Sequence, residues 1–155
     1  MKERVFNFWN AVPQGAALAL PTSGYVAKNG RAVFARGILA QAKHRYPGID
    51  KVLGRKLIGQ GRVPGHRGKD LGTGNHVTAI WLNPPIFTLA VKWNFWEDAD
   101  LSLIERSARE LVEMVDSVRL ARVYLPPVGD GHPWPEVRSI LERYMDNRFV
   151  VVHEP

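Results

Sequence analysis

Residues 20–47 read LPTSGYVAKNGRAVFARGILAQAKHRYP, and they decide the fold because the hydrophobic period changes from strand to helix across a glycine-rich bend. An apolar run, Ala16-Ala17-Leu18-Ala19-Leu20, leads into the stretch, and Gly24, Gly30 and Gly37 punctuate it. Phe34, Ile38, Leu39 and Ala42 then fall on one face of a helix expected over residues 34–45, stopped by Pro47-Gly48. Strand, glycine loop and helix in this order suit an anion. Glycines let backbone N–H groups approach it, and the helix start adds unpaired amides and the positive end of its dipole. A diphosphate fits such a site. A plain strand-to-helix connection with turn glycines has the same composition, and the stretch by itself does not choose between them.

A second loop repeats the pattern. Residues 126–135, PPVGDGHPWP, follow a short apolar strand expected over residues 122–125 and hold Gly129 and Gly131. They precede a helix with Pro135 near its first turn and Val137, Ile140, Leu141 and Tyr144 on its buried face. Ligands of open α/β sheets sit outside the carboxyl ends of the strands, so two such loops can clasp one ligand. Neither loop matches a Walker A or Gly-x-Gly-x-x-Gly pattern, which argues against a nucleoside triphosphatase or an ordinary dinucleotide dehydrogenase.

The other elements follow from period and punctuation. Strands are expected over residues 5–9 and 16–20, around a turn with Pro13 and Gly15, and over residues 76–82 and 86–93, joined at Asn83-Pro84-Pro85. A helix over residues 49–58 buries Val52, Leu53 and Leu57 and is weakened by Gly54. The clearest helix covers residues 101–118, with Leu101, Ile104, Ala108, Leu111, Val112 and Val115 in one stripe and Asp98 or Asp100 as cap. The last strand is residues 149–152. Residues 59–74, GQGRVPGHRGKDLGTG, lack periodicity and read as a mobile, solvated loop or irregular hairpin. This succession predicts an α/β sandwich with helices on both sides of a mixed sheet.

A length of 155 residues with 45% hydrophobic content fits one domain with a sizeable core. The net charge of +6 favours approach of nucleic acid or nucleotides, although the basic residues are scattered rather than run together. Without cysteine there is neither disulfide nor thiolate nucleophile, which is compatible with a reducing compartment. The apolar runs are too short to span a bilayer, and MKERVFNFWN lacks the apolar core of a signal peptide, so a soluble cytoplasmic protein without a membrane partner is expected. His44, His66, His76, His132 and His153 show no metal-ligand spacing, so neither metal nor cofactor is expected.

Three blocks, PTSGYVAKNGRAVFARGILAQAKHRYPGI, LAVKWNFWEDADLSLIERSARELVEM and VYLPPVGDGHPWPEVRSILERYMDNRFVVV, resemble the macrodomain family, in particular its small bacterial and phage members. The resemblance covers most of the chain, with residues 59–74 least matched, and implies one domain over residues 1–155, a three-layer α/β/α sandwich with a mixed central sheet. It also implies binding of ADP-ribose or a derivative, free or carried on protein or nucleic acid. Hydrolysis of an ADP-ribosyl linkage is the activity it points to. A non-catalytic ADP-ribose or nucleotide reader is the alternative, and a basic nucleic-acid binder on the same fold is a third.

Carried over residue by residue, Asn7 stands where macrodomains place an aspartate that accepts from the adenine amino group, and its carbonyl can still accept. Thr22, Ser23 and Gly24 match the segment beside the distal ribose, with Ser23 in place of an asparagine. Val33, Phe34, Ala35, Arg36 and Gly37 match the first phosphate loop, with Ala35 in place of a glycine, where its methyl group can crowd the diphosphate. Val128, Gly129, Gly131, His132 and Trp134 match a shortened second loop. Substituting Gly129 by a bulky residue is expected to abolish binding and spare the fold. Lys92 matches a lysine that attacks the distal ribose in one hydrolytic branch, and desolvation among Phe87, Trp93, Phe95 and Trp96 would make its amine nucleophilic. Asp130 is the nearest candidate for its acidic partner, with His132 second.

Overall fold

The pleat of each strand sorts its apolar residues into two cores, one on each face of a sheet. The computed structural model describes residues 1–14, 16–67 and 74–155. Its strands are β1 (Lys2–Val5), β2 (Ala17–Ser23), β3 (Thr78–Ile80), β4 (Ile86–Lys92), β5 (Val123–Leu125) and β6 (Phe149–His153). Its helices are α1 (Gly37–Arg45), α2 (Ile49–Gly59), α3 (Leu101–Val118) and α4 (Trp134–Glu142), with a 3-10 turn at Phe8–Gln14. Among the described residues the sheet order is β1-β6-β5-β2-β4-β3, parallel except for the edge strand β3. Ala17 and Ala19 of β2, Phe87, Leu89 and Val91 of β4, and Phe149 and Val151 of β6 bury against Ile104, Leu111, Val137 and Leu141 of α3 and α4. Leu18, Leu20, Ile86, Val150 and Val152 point the other way, against Ala42, Leu53 and Leu57 of α1 and α2. Burial on both faces is what a parallel sheet between two helical layers requires. The expected mixed-sheet sandwich is the one formed.

Several boundaries differ, each for a local reason. The aromatic run expected as a strand over residues 5–9 is split. β1 ends at Val5, and Phe8, fully buried, enters the core from the 3-10 turn, its N–H donating to Glu154 Oε1 at 3.1 Å. Packing overrides the strand propensity of aromatics there. α1 starts at Gly37 instead of residue 34, because Gly37 has φ +54°, outside the right-handed helical region; Phe34 is buried from the loop before it. β3 is three residues long, shorter than the expected 76–82. Tyr144 is half-buried and donates its hydroxyl to Glu105 at 2.8 Å. α3 has the expected bounds, with the Asp100 carboxylate accepting from Leu103 N–H at 3.2 Å. Of the loop expected over residues 59–74, residues 68–73 lie outside the described part, as does Gly15. Among the described residues no helix is long and apolar enough to cross a membrane.

Candidate functional site

The sheet opens between β2 and β5. The chain leaves β2 toward β4 on one side and leaves β5 toward β6 on the other, so the connections diverge at this pair of strands, which is where α/β sheets hold ligands. β2 and β5 pair only at Ala17–Val123 and Leu18–Tyr124. Beyond that the ladder stops, and Pro21 explains how β2 tolerates it. Ala17 N–H bonds to Arg122 O on the β5 side and Leu18 N–H to Pro85 O on the β4 side, so alternation would aim an N–H at position 21 toward the vacated β5 side. A proline there forfeits no ladder bond.

The gap widens into a cavity of about 590 Å³ whose walls come from both glycine loops and from the end of β4. Thr22, Ser23, Val33, Ala35, Arg36, Gly37, Lys92, Val128, Gly129 and Asp130, all read from the sequence, line it together. The two loops therefore converge, as the repeated pattern implied.

The first loop is tied down from below. Ala32 N–H donates to Asp50 O at 3.0 Å, while Arg31 Nη1 and Lys43 Nζ lie 3.4 Å from the buried Asp50 carboxylate. Burial pushes that carboxyl up, but the Lys51 amide at 2.9 Å and the Lys43 and Arg31 charges outweigh it and hold it below the usual range. Above this base α1 begins with no side chain capping its N-terminus, and Gly37, Ile38 and Leu39 of its first turn are cavity wall. First-turn amides lack helical partners, so they are available to an anion.

In the second loop Gly129 and Gly131 have φ +93° and +90°. A Cβ on Gly129 would sit 2.3 Å from Val137 Cγ2, and one on Gly131 2.4 Å from the Asp98 carboxyl carbon. Val137 is fully buried, so a bulky side chain at Gly129 strikes the core, and the expectation that it spares the fold is corrected. Ala99 N–H donates to Asp130 O at 2.9 Å and His132 Nε2 to Ala99 O at 2.6 Å, fastening the loop to the segment before α3.

Lys92 closes β4 after a register shift, since Thr22 pairs with Ala90 and Ser23 with Lys92. Its side chain is 18% exposed, and Nζ lies 3.1 Å from Asp130 Oδ2, whose side chain is 78% exposed. An amine and a carboxylate this close can exchange a proton, and both border the same void. Phe95 and Trp96 join the wall beside them, packed with Tyr25 and with the Arg67 guanidinium 5.2 Å from the Trp96 ring.

Other sequence-derived residues are placed elsewhere. Asn7 is exposed, and its Oδ1 accepts from Trp9 N–H at 3.1 Å. Gly24 lies beneath the wall, donating to Lys92 O at 3.0 Å. Phe34 is core, Gly131 backs onto Asp98, and His132 turns to Ala99. Trp134 donates Nε1–H to Glu3 Oε1 at 2.9 Å and packs edge-on against His153. Sequence reasoning passed over Pro21, Val91, Glu97 and Pro127 and took Asp98 only as a possible helix cap, yet all of these also border the cavity. Their signal was position alone: Pro21, Val91 and Pro127 lie at a strand end or in a loop already singled out, and Glu97 and Asp98 lie between Lys92 and α3. Among the described residues no group of three or more His, Asp or Glu is arranged to hold a metal ion.

The six-stranded mixed sheet between two helical layers is the macrodomain fold. Solved structures similar to this chain include the macrodomain of Thermus aquaticus DarG, with TM-score 0.73 and 21% identity over 99% of this chain and 98% of that one. The macrodomain of Mycobacterium tuberculosis DarG gives 0.69 and 18% over 99% and 98%. Thermosipho africanus DarTG in complex with ADP-ribose gives 0.71 and 14% over all of this chain and 42% of that one. No family model matches the chain, and no curated protein does.

Proposed function

We propose that the chain binds ADP-ribose in the β2–β5 cavity and hydrolyses an ADP-ribosyl linkage, with Lys92 as nucleophile and Asp130 as its proton partner. The observation that carries this reading is the 3.1 Å Lys92–Asp130 pair bordering a cavity walled by both glycine loops. A structure similar to this one, Thermosipho africanus DarTG, is in complex with ADP-ribose, which supports the choice of ligand. The diphosphate lies between the first turn of α1 and the loop around Gly129, and the distal ribose beside Thr22, Ser23 and Lys92. The carrier is a protein or a nucleic acid.

Lys92 Nζ passes a proton to Asp130 and bonds to the anomeric carbon of the distal ribose as the linkage to the carrier breaks. Asp130 returns the proton to the leaving atom, and water then releases the sugar from the amine. Lys92→Ala is expected to abolish ADP-ribose release from an ADP-ribosylated substrate while leaving ADP-ribose affinity within about three-fold, because the amine acts in the transition state more than in ground-state binding. Lys92→Arg, which keeps the charge but not the nucleophile, is expected to be equally inactive. Borohydride is expected to trap the ring-opened imine in the parent protein only. Full turnover by Lys92→Ala overturns the mechanism.

One pair of observations favours a non-catalytic reader instead. The Ala35 methyl belongs to a residue of the cavity wall where the macrodomain resemblance implies a glycine, and the Asp130 carboxylate stands mostly in solvent beside the expected phosphates. A parent protein that binds ADP-ribose and never turns over would select that reading.

A further inference from the structure

The segment just before β3 supplies one buried polar side chain that the mechanism above does not use. Asn75 is 1% exposed and has φ +61°, a left-handed conformation. Its Nδ2 donates to Lys92 O at 2.8 Å, and Gly24 N–H donates to the same oxygen at 3.0 Å. β4 ends at Lys92 beside Ser23 of β2, and on its other side Asp100 N–H donates to Val91 O at 2.8 Å. The Asn75 amide adds a second, side-chain donor to the last carbonyl of β4.

The surrounding groups hold Asn75 itself. Arg106 Nη2 donates to the Asn75 carbonyl at 2.5 Å and to the Gly74 carbonyl at 3.4 Å, fixing the left-handed turn from behind. Arg62 Nε donates to Gly24 O at 3.0 Å, and the Arg62 and Arg106 guanidiniums lie 5.3 and 5.6 Å from the Trp93 ring, the residue after Lys92. A Cβ on Gly24 would fall 2.5 Å from Asn75 Cγ, so that position is glycine because the carboxamide fills its space.

We infer that Asn75 is a positioning residue for Lys92, fixing the end of β4 so that the amine meets the distal ribose at bonding distance. This rests on the reading of Lys92 as nucleophile. Satisfying the Lys92 carbonyl does not by itself call for Asn75, since Gly24 already donates to it. The position is also unfavourable for stability, because the backbone is left-handed and Oδ1, buried, has no hydrogen-bond partner among the described residues. Orientation of a reacting group is steep in distance, and a misplacement of about 1 Å costs on the order of 100-fold in rate.

The test compares Asn75→Gly, which tolerates the left-handed backbone and keeps the Arg106 bonds to main chain, with Asn75→Asp, which keeps the size and removes the donor. Release of ADP-ribose from an ADP-ribosylated protein and from an ADP-ribosylated oligonucleotide is followed beside Lys92→Ala, together with calorimetric ADP-ribose affinity. Both variants are expected to lower kcat by about 10-fold or more, with KM and ADP-ribose affinity within about two-fold and with a lower yield of borohydride adduct. Should Asn75→Gly fail to fold, Asn75→Asp carries the comparison. Parental kcat in a folded variant, with Lys92→Ala inactive, overturns the role of Asn75 alone. Loss of affinity in proportion to activity overturns it too, since that marks general collapse of the site. Full activity of Lys92→Ala brings down the nucleophile reading and this inference with it.

Discussion

The two glycine loops that wall the cavity are built on different constraints. In the first, a Cβ on Gly30 or Gly37 would meet nothing within 4 Å, so glycine is needed there only for φ +84° and +54°. In the second, Gly129 combines φ +93° with a Cβ position 2.3 Å from Val137 Cγ2. The first loop is thus held by its base, through the Asp50 carboxylate and main chain, and is open above. The second is wedged between α4 and the segment before α3. A cavity made of one tethered and one wedged wall can adjust on one side only, and α1 with its uncapped N-terminus is on the adjustable side.

Thermal unfolding can break this contrast. Gly129→Ala adds a left-handed strain to a clash in the core and is expected to cost roughly 2 to 5 kcal/mol, while Gly37→Ala carries only the strain, about 1 to 2 kcal/mol. For a chain of this size the Tm should fall by roughly 5 to 15 °C in the first and by less than about half of that in the second. Equal shifts would mean that the second loop is no more tightly wedged than the first.

A smaller effect sharpens the account of the first loop. The folded Asp50 carboxyl is held below its ordinary range, so its contribution is complete above that range, near ~4, and is lost as pH falls through the lowered value. Asp50→Asn is therefore expected to lower stability at pH 7 by about 1 kcal/mol, a modest figure because Arg31 and Lys43 are half exposed, and the gap should close in strong acid. Urea midpoints followed from pH 7 into strong acid measure it; a gap that does not narrow along the way would show that the charge of Asp50 does not brace the loop.

How much of this was legible in the sequence depended on the kind of signal. α3 was readable to its ends because a long stripe and the Asp100 cap agree. α1 was read too long, since burial of Phe34 fits the helical period while the backbone at Gly37 breaks it, and period reports side chains alone. The convergence of the loops could be argued from strand ends and glycines, but pairing Lys92 with Asp130 came through the family resemblance. Asn75, Arg62 and Arg106 carried no readable signal. They act by side-chain bonds to main chain far away in the sequence, and two of the three sit in or beside the aperiodic stretch over residues 59–74.

The central claim is that the crevice between β2 and β5 is a diphosphate site specific for ADP-ribose, and calorimetric titration of the parent protein with ADP-ribose, AMP and NAD tests it most directly. ADP-ribose is expected to bind with one site and Kd on the order of micromolar, about −8 kcal/mol, with AMP weaker by at least about ten-fold because it lacks the second phosphate and the distal ribose. Absence of heat and of any Tm shift at millimolar ADP-ribose, or AMP binding as tightly as ADP-ribose, would contradict it.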